Sequence, residues 1–569
     1  MSSKPAEIPA ISVELSAADL GDERLNRRLG LLADQLAERS GESFPKALDD
    51  AQLEAAYRFF GNDRVSPEAI LAPHFRQSAR RAAGYERVLV VHDTTQFDFP
   101  GNVKRKGLGR LIRAAAQGFF GHFSLALSAD GARVPLGLLA LETVFRLVKS
   151  IGHKNWTPAK SRGERARWLN CIDDAEAVLG GRTKAIHVMD READSYALLA
   201  SLVEHEREFV VRSFQDRVLV GHDEDRLREV ARAARPSLRR EVPLSPRPRI
   251  PGPKGERHPA RRFRLAKLSI AAAAVELPRT SGGGKTESDT IKLNIIHVFE
   301  KKPPTGEPAV EWFLLTNLPI DTPEAIAFAV DCYRARWVIE EFFKALKTGC
   351  QYESRQLESA ESLLNALAIF APIAWRLLLL RHLARSDAKA PATAALTAKQ
   401  LQVLRAVAKK PLSARPTTRD AMLAIAALGG HLKSDGDPGW LVLGRGMHDL
   451  LLLELGWRAT RTPGAVGPAC HARAQATRDR HCEVSDHRGQ PRPASRLSPS
   501  VVLATAAWLS REALRAGSAS THLTRVAWVR CVPGALRAAN ARRPEPGSRE
   551  HSRGCARFRA GASRIGSPS

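Results

Sequence analysis

Cysteine is scarce in this sequence, and its few cysteines form no recognisable framework. The 569 residues contain seven cysteines, four of which lie beyond residue 463. No CxxC pair occurs, and no cysteine and histidine spacing typical of a zinc site. The sequence therefore indicates neither a disulfide framework nor a structural zinc site.

The sequence also lacks the signals for secretion and for crossing a membrane. Its opening residues, MSSKPAEIPAIS, do not show the charged and then apolar pattern of a signal peptide. The most apolar run, residues 363–380, contains Pro372 and Arg376, which favours a buried helix over a membrane span. We therefore expect a cytoplasmic protein with no membrane partner.

Acidic residues are too few to balance the basic ones. Lysine and arginine number 87 against 61 acids, so the net charge is +26. From residue 463 onward, 18 arginines stand against 6 acids, so this stretch contributes +12 and the remainder +14. An excess of this size favours a polyanionic partner, and nucleic acid in the first place.

The first 82 residues predict a small helical domain. Asp22 can cap a helix, and Ser66 with Pro67 can begin a later one. The apolar stripe of the first helix consists of Leu25, Leu29, Leu32 and Leu36. The neighbouring arginines lie largely off that stripe, which suits a DNA-binding surface. An ordinary helical domain with solvated arginines is the alternative.

Two short β-branched runs each deliver an aspartate. Residues 87–97, RVLVVHDTTQF, predict a buried strand with Asp93 at or near its C-terminal end. Residues 185–202 repeat the pattern, with Asp190 near the end of a strand and a helix from around Glu192. Either aspartate alone could be a turn or helix-cap residue. Together with an acid on a later helix, they predict a constellation of three carboxylates.

That later helix is predicted over residues 331–353 and ends at Gly349. Its expected apolar face is formed by Trp337, Phe342, Ala345 and Leu346. One stripe of the helix carries Tyr333, Arg336, Glu340 and Lys347. A carboxylate beside two cations suits a metal ion next to a phosphodiester. The alternative is a solvated charged face with an Arg336–Glu340 ion pair.

The rest of the chain predicts two more regions and a tail. Several β-like runs between Asp190 and Glu340 predict a mainly β insertion, in which Trp312 is either a core aromatic or a platform for a DNA base. Leucine-rich helices follow as far as residue 457. The tail beyond them is rich in Arg, Ala, Pro, Gly and Ser and lacks lysine, so we expect a disordered basic segment. Frame-shifted translation and a DNA-binding tail are two interpretations of it.

Ordered blocks along the chain resemble the IS-four family of bacterial insertion-sequence transposases. Tyr333-x2-Arg336-x3-Glu340-x6-Lys347 matches the YREK signature of that family. Further matching blocks are LGDER, AAYRF, DTT from Asp93, DREAD from Asp190, FVVRS ending at Ser213 and WFLLT from Trp312. The resemblance extends over roughly residues 15–457 and leaves out the tail.

The resemblance implies an α/β fold with a ribonuclease-H-like catalytic core over residues 83–365 and a β insertion at about 214–312. Helical domains would flank this core. Residues 1–82 would bind the DNA ends of the insertion sequence, and residues 366–460 would dimerise. Residues 461–569 lie outside the resemblance, and their composition predicts a low-complexity tail.

The resemblance also implies roles for individual residues. Asp93, Asp190 and Glu340 would be the metal-binding DDE triad of a cut-and-paste transposase. Trp312 would stack on a base flipped out of the DNA end. Phosphate contacts would come from Arg212, Tyr333, Arg336 and Lys347. The expected protein is a homodimer on double-stranded DNA in the bacterial cytoplasm, associated with the nucleoid when bound.

The chemistry of the three acids leads to the same function. Two Mg²⁺ ions held by carboxylates can activate a nucleophile and stabilise a leaving oxygen, and hard oxygen ligands favour Mg²⁺ or Mn²⁺ over zinc. A catalytically silent DNA-binding regulator is one alternative. A hydrolase of glycosidic bonds is another, although it would leave the cationic stripe unexplained.

Overall fold

The computed structural model describes residues 10–101, 104–110, 117–145, 166–247, 250–252, 255–258, 260–279, 289–387, 389–432 and 436–461. The predicted basic tail lies outside the described residues, apart from its first residue. The described segments all belong to one compact unit.

Helices are found at both ends of the described chain and between the strands. The helices before the first strand are α1 (Ile11–Glu14), α2 (Glu23–Glu38), α3 (Phe44–Ala47), α4 (Asp50–Phe60) and α5 (Pro67–Ala82). Those between strands are α6 (Ala166–Leu179), α7 (Tyr196–Glu204) and α8 (Leu227–Ala233). The last strand is followed by α9 (Pro323–Ala335), α10 (Trp337–Lys344), α11 (Ala360–Ser386), α12 (Ala398–Val407), α13 (Thr418–Leu428) and α14 (Trp440–Arg461).

The strands fall into two groups along the chain. The first group is β1 (Arg87–Phe99), β2 (Gly109–Arg110), β3 (Gln117–Ser128), β4 (Pro135–Val144), β5 (Lys184–Met189) and β6 (Glu208–Arg212). The second group is β7 (Val218–Leu219), β8 (His222–Arg226), β9 (Leu238–Leu244), β10 (Ile250–Gly252), β11 (Gly255–His258), β12 (Arg264–Pro278), β13 (Thr290–Glu300) and β14 (Glu311–Thr316).

The predicted helix starts at Asp22 and Ser66 are confirmed by hydrogen bonds at the caps. The Asp22 carboxylate accepts from the Arg24 backbone N–H at 2.8 Å. Ser66 accepts from Ala69 N–H at 3.2 Å, and Pro67 stands in the first turn, where its missing N–H costs nothing. Leu29, Leu32 and Leu36 are buried and Leu25 packs against the same core, as the apolar stripe predicted.

One ten-stranded sheet forms the centre of the protein. Its strand order is β2-β3-β1-β5-β6-β14-β13-β12-β9, with β4 paired to β3. β1, β5 and β6 run parallel, whereas the pairs made by β3 and by β14 are antiparallel. Strands β9, β12 and β13 of the predicted β insertion thus continue the sheet, because β13 pairs with β14 and β14 pairs with β6.

The helices at the two ends of the chain share a core with this sheet. α11 lies at the centre of that core. Its Asn365 side chain donates to Phe60 O and Val65 O, and its Trp375 Nε1–H donates to Pro135 O at 3.0 Å. α11 is the described helix that is long and apolar enough to span a membrane, but 89% of its apolar window is buried. The expectation of a buried helix over residues 363–380 is therefore confirmed.

The predicted domain boundaries fall close to element ends. α5 ends at Ala82, and α11 begins at Ala360, a few residues before the predicted boundary at 365. A second core cluster on the other face of the sheet joins α6, α7 and α8 to the strands. The assignment of separate functions to the helical ends stays a prediction.

Candidate active site

The strand register brings Asp93 and Asp190 to the same edge of the sheet. β1 and β5 pair in parallel as far as Val91 and Val188. Asp93 and Asp190 each lie two residues further on, so the continued register sets them opposite each other. The sequence predicted that β1 would end near Asp93, but the strand continues to Phe99 because its pairing with β3 runs on. What ends at this point is the parallel pairing with β5.

Glu340 reaches this edge from α10, and Arg336 connects it to Asp93. Arg336 Nη1 donates to Asp93 Oδ2 at 2.5 Å, and its Nη2 donates to Glu340 Oε1 at 3.3 Å. Asp190 caps the short 3-10 turn after β5 by accepting from Glu192 N–H at 2.8 Å. The predicted helix start near Glu192 is therefore wrong, because this turn precedes α7, which begins at Tyr196.

The pKa of Asp93 shows that the carboxylates of Asp190 and Glu340 are near enough to influence it. Burial raises the pKa of Asp93 and Arg336 lowers it, while the carboxylates of Asp190 and Glu340 raise it, and the net result is a pKa of about 7. Three acids therefore act on one another at this edge, and one guanidinium partly neutralises them. Such a group has the negative charge and the hard oxygen donors that a divalent cation requires.

As arranged here, the acids do not yet form a coordination sphere. Among the described segments, no three His, Cys, Asp or Glu side chains come close enough to hold a metal ion. Arg336 lies between Asp93 and Glu340 and makes hydrogen bonds to both. The donor set fits a divalent metal in its chemistry, and a metal would take the place of the guanidinium as the counter-charge.

The predicted continuous helix over residues 331–353 is wrong in its detail. It begins earlier, at Pro323, and is interrupted at Arg336, whose N–H bonds to Tyr333 O in a tightened turn. It then ends in a π turn, Ala345–Gly349. Trp337 is 57% exposed instead of lying on the apolar side, because at 100° per residue it falls well away from Phe342 and Leu346.

Two further members of the predicted stripe lie beside the carboxylates in different ways. Lys347 donates to Gln96 O on β1 and pairs with Glu353 at 3.2 Å. Tyr333 is only 7% exposed and packs edge-on against Trp312, with ring centroids 5.7 Å apart. Tyr333 therefore supports Trp312 rather than standing on an open charged face.

Arg212 and Trp312 continue the row of site residues across the sheet. Met189 pairs with Val211, so the same register sets Arg212 beside Asp190. Arg212 pairs with Leu314 of β14, and Trp312 is two residues before Leu314 on the same strand. The side chains of Arg212, Leu314 and Trp312 therefore lie on one face of the sheet. Both predicted DNA contacts thus border the edge that carries the aspartates.

Some residues that organise this edge were not predicted as site residues. Arg167 of α6 donates to Thr94 Oγ1 at 3.1 Å and pairs with Glu192 at 2.8 Å, so it ties the segment after Asp93 to the segment after Asp190. Asp194 accepts from Phe214 N–H at 2.6 Å and pairs with Arg217 at 2.6 Å. The DREAD block contained Asp194, but nothing in the sequence pointed to Arg167.

Two buried histidines, His92 of β1 and His187 of β5, connect the strands that lead to the two aspartates. His92 Nε2 lies 2.9 Å from His187 Nδ1, and His187 Nε2 lies 2.9 Å from Glu176 Oε1. Burial lowers the pKa of His92 well below its usual value, and His187 and His122 lower it further. His92 is thus neutral and links β1 to β5 by hydrogen bonding.

Comparison with protein-family models gives two matches along the chain. Residues 9–65 match the model described as Transposase DNA-binding, and residues 142–371 match the model described as Transposase DDE domain. The first match spans α1 to α4. The second contains Asp190, Glu340 and the β insertion, while Asp93 lies before it on β1.

Proposed function

Since the chain is a DDE-family transposase, which binds DNA and uses a divalent metal to cleave and join DNA strands, we propose that Asp93, Asp190 and Glu340 are its catalytic triad. The observation that supports this most directly is that Asp93 and Asp190 share one edge of the parallel strands, where Arg336 bonds to both Asp93 and Glu340 and both other acids raise the pKa of Asp93. We further propose that the chain is a member of the IS-four group and that it acts by a cut-and-paste mechanism at the ends of an insertion sequence.

The metal in this proposal is Mg²⁺, with Mn²⁺ as a substitute. All three side chains offer carboxylate oxygens, which suit these hard cations better than zinc. When bound, such ions supply an activated nucleophile and stabilise the leaving oxygen of the phosphodiester. Asp93 and Asp190 would hold them from the sheet, and Glu340 from α10.

The surrounding cations and rings would position the DNA. Arg336 and Lys347 stand on the Glu340 side of the edge, and Arg212 stands on the Asp190 side, so phosphate oxygens could be held from both sides. Trp312, steadied by Tyr333, would stack on an unpaired base. On α2, Arg24 and Arg27 are exposed and would meet the DNA end.

The transposase is an intracellular DNA-binding protein, and we propose that it works in the cytoplasm on the nucleoid. Its working form would be a homodimer that brings two DNA ends together. The support for dimerisation is the resemblance to the IS-four family together with the partly exposed leucines of α14.

Substitution of the three acids tests the triad. Asp93→Asn, Asp190→Asn and Glu340→Gln should each reduce Mg²⁺-dependent DNA cleavage by at least about a thousandfold, which corresponds to about 4 kcal/mol of lost transition-state stabilisation. DNA binding in a gel-shift assay should persist, because the arginines of α2 are unchanged.

Glu341→Gln is the matched control for these variants. Glu341 neighbours Glu340 on α10 but pairs with Lys344 and Arg381 instead of with the site residues. Normal cleavage by any one of the three acid variants would remove that residue from the triad. DNA binding without metal-dependent cleavage by the unsubstituted protein would instead identify a DNA-binding regulator.

A further inference from the structure

A cavity of about 450 Å³ opens at the end of the sheet away from the candidate active site. Its wall includes Leu89 near the start of β1, and Ser128 at the end of β3. Ser128 pairs with Val88, whereas Asp93 pairs with Phe123 further along the same two strands. The cavity therefore lies at the start of β1, and Asp93 lies four residues beyond Leu89, near the middle of that strand.

Three arginines in this cavity meet at one carboxylate oxygen. Asp331 Oδ1 lies 2.8 Å from Arg240 Nη1, 2.9 Å from Arg334 Nη1 and 3.5 Å from Arg133 Nη2. The arginines come from the β3–β4 turn, from β9 and from α9. One carboxylate cannot satisfy three guanidiniums, each with five N–H donors, so most of these donors face the cavity or solvent. We name this group, Arg133, Arg240 and Arg334 around Asp331, the arginine pocket.

The arginine pocket keeps an excess of positive charge. The other acid in its wall is Asp130, whose carboxylate accepts from Ser128 Oγ at 2.6 Å and from Ala132 N–H at 3.2 Å within the turn. Three guanidiniums thus face two carboxylates, one of which is engaged locally. Burial lowers the pKa of Arg133, and Arg334 and Arg240 lower it further against the opposing effect of Asp331. An additional anion would relieve this repulsion.

The turn that carries Arg133 holds it in place before any ligand arrives. Arg133 has a φ of +55°, in the left-handed region that side chains other than glycine seldom adopt. The turn is closed by a hydrogen bond from Ser128 N–H to Val134 O at 3.0 Å. His382 of α11 lies 2.8 Å from Ala132 O and fixes the turn from outside. A preorganised guanidinium loses little entropy on binding an anion.

We propose that the arginine pocket binds a phosphate group, and that in the working transposase this is a backbone phosphate of DNA lying away from the metal site. Guanidiniums bind phosphate oxygens in bidentate pairs, and three of them from separate elements suit a tetrahedral oxyanion. The DNA part of the proposal rests on the proposed function. Phosphate binding itself does not.

The test uses the full-length protein and the variant Arg240→Gln, with Arg334→Gln as a second variant in case the first fails to fold. Arg419→Gln is the matched control, because Arg419 is similarly exposed but pairs with a single carboxylate, Asp437. Inorganic phosphate is titrated calorimetrically. The affinity for a duplex DNA is measured over a range of salt concentrations.

The expected result is that either pocket variant weakens phosphate binding at least tenfold and lowers the slope of log affinity against log salt by about 0.9, the value for one lost phosphate contact. Mg²⁺-dependent cleavage at saturating DNA should stay close to normal, because Arg240 and Arg334 pair with Asp331 and not with the three site acids. The control should change neither binding measurement.

Other outcomes separate the parts of the proposal. Phosphate binding that depends on the pocket, with an unchanged salt slope, would assign the site to a free phosphate anion and overturn its DNA role. Unchanged phosphate binding and salt slope in both pocket variants would leave only a structural ion-pair network and overturn the proposal. Absence of cleavage in the unsubstituted protein would count against the proposed function without affecting the phosphate result.

Discussion

At the scale of single residues, Arg336 determines how three acids can share one edge of the sheet. Its guanidinium stands between Asp93 and Glu340 and is largely buried. It opposes the effects of burial and of the neighbouring acids, and with all of these present the pKa of Asp93 is raised to about 7. In the absence of metal, the arginine therefore stabilises the ionised carboxylates.

Replacing Arg336 should change how strongly Mg²⁺ stabilises the protein. In Arg336→Ala the acids lose their fixed counter-charge, so the metal-free protein should be less stable, and Mg²⁺ should meet no competing cation. We expect Mg²⁺ to bind about tenfold more tightly without DNA, a gain of about 1.4 kcal/mol. Thermal unfolding with and without Mg²⁺ measures this effect: Mg²⁺ should raise the melting temperature of Arg336→Ala more than it raises that of the unsubstituted protein.

Lys344→Ala is the comparison for that experiment, since Lys344 on the same helix pairs with Glu341. It should respond to Mg²⁺ as the unsubstituted protein does. An equal Mg²⁺ response in Arg336→Ala and the unsubstituted protein would show that the guanidinium does not compete with metal.

At the scale of elements, the sequence predicted which segments near the site are strands and helices better than it predicted where those strands and helices begin and end. The runs before Asp93 and Asp190 are strands, and the α/β fold is confirmed. The end of the parallel pairing after Val91 depends on a partner strand nearly a hundred residues away, which local composition does not encode. The tightened turn at Arg336 is a local departure from α geometry that the spacing of apolar residues does not reveal, so periodicity alone predicted an unbroken helix.

The attachment of α1 depends on a buried carboxylate that no sequence pattern marked. Glu14 pairs with Arg81 of α5 at 2.8 Å and with His74 at 2.7 Å. His74 Nε2 accepts from Leu138 N–H, so its Nδ1–H donates to Glu14. Burial raises the pKa of Glu14, but the hydrogen bonds from His74 and Arg81 and the charge of Arg81 outweigh it and lower that pKa to about 2.

This carboxylate should stabilise the fold in a pH-dependent way. Its pKa falls from 4.5 to about 2 on folding, so its contribution is complete above pH 4.5 and is lost as the pH falls toward 2. We expect Glu14→Gln to lower the free energy of unfolding by about 3 kcal/mol at pH 7. Urea denaturation of both proteins at a series of pH values should show the difference shrinking below pH 4.5.

Glu23→Gln provides the surface comparison, because Glu23 pairs with Arg27 in solvent. It should cost no more than about 0.5 kcal/mol. A difference for Glu14→Gln that stays constant from pH 7 to pH 2 would show that packing, and not charge, carries the effect.

At the scale of the whole molecule, the described helices before and after the sheet share its hydrophobic core, so the DNA-binding segment and the site belong to one compact unit. Composition could not predict this, because helix patterns reveal which faces are buried but not what covers them. It did predict DNA as a partner, which the family matches confirm. The triad and the DNA contacts stay predictions until variants are tested.

The proposed homodimer can be tested on α14. Leu450 is fully buried, whereas Leu453 is 38% exposed, so Leu453 is the better site to disturb a partner without disturbing the core. Leu453→Glu should leave the melting temperature nearly unchanged and prevent two-protomer complexes on DNA, because a carboxylate would be buried against an apolar partner. Light scattering of the DNA-bound protein measures the mass.

Leu432→Glu, at an exposed leucine outside α14, is the control. Normal paired complexes formed by Leu453→Glu would rule out this surface. Global unfolding of the variant would show instead that Leu453 belongs to the core of its own chain.

The pairing of β6 with β14 can form only late in synthesis, because β14 is far along the chain from β6. Phe209 O accepts from Thr316 Oγ1, 107 residues later in the chain. At about 5–20 residues per second, a ribosome needs roughly 5–20 s to make that stretch. Until then the nascent chain presents β6 as an open edge, a template for aggregation. Glu340 emerges later still. A chain that stops early is therefore left with an uncovered strand edge and without its third acid, so premature termination yields an aggregation-prone fragment and no partial nuclease.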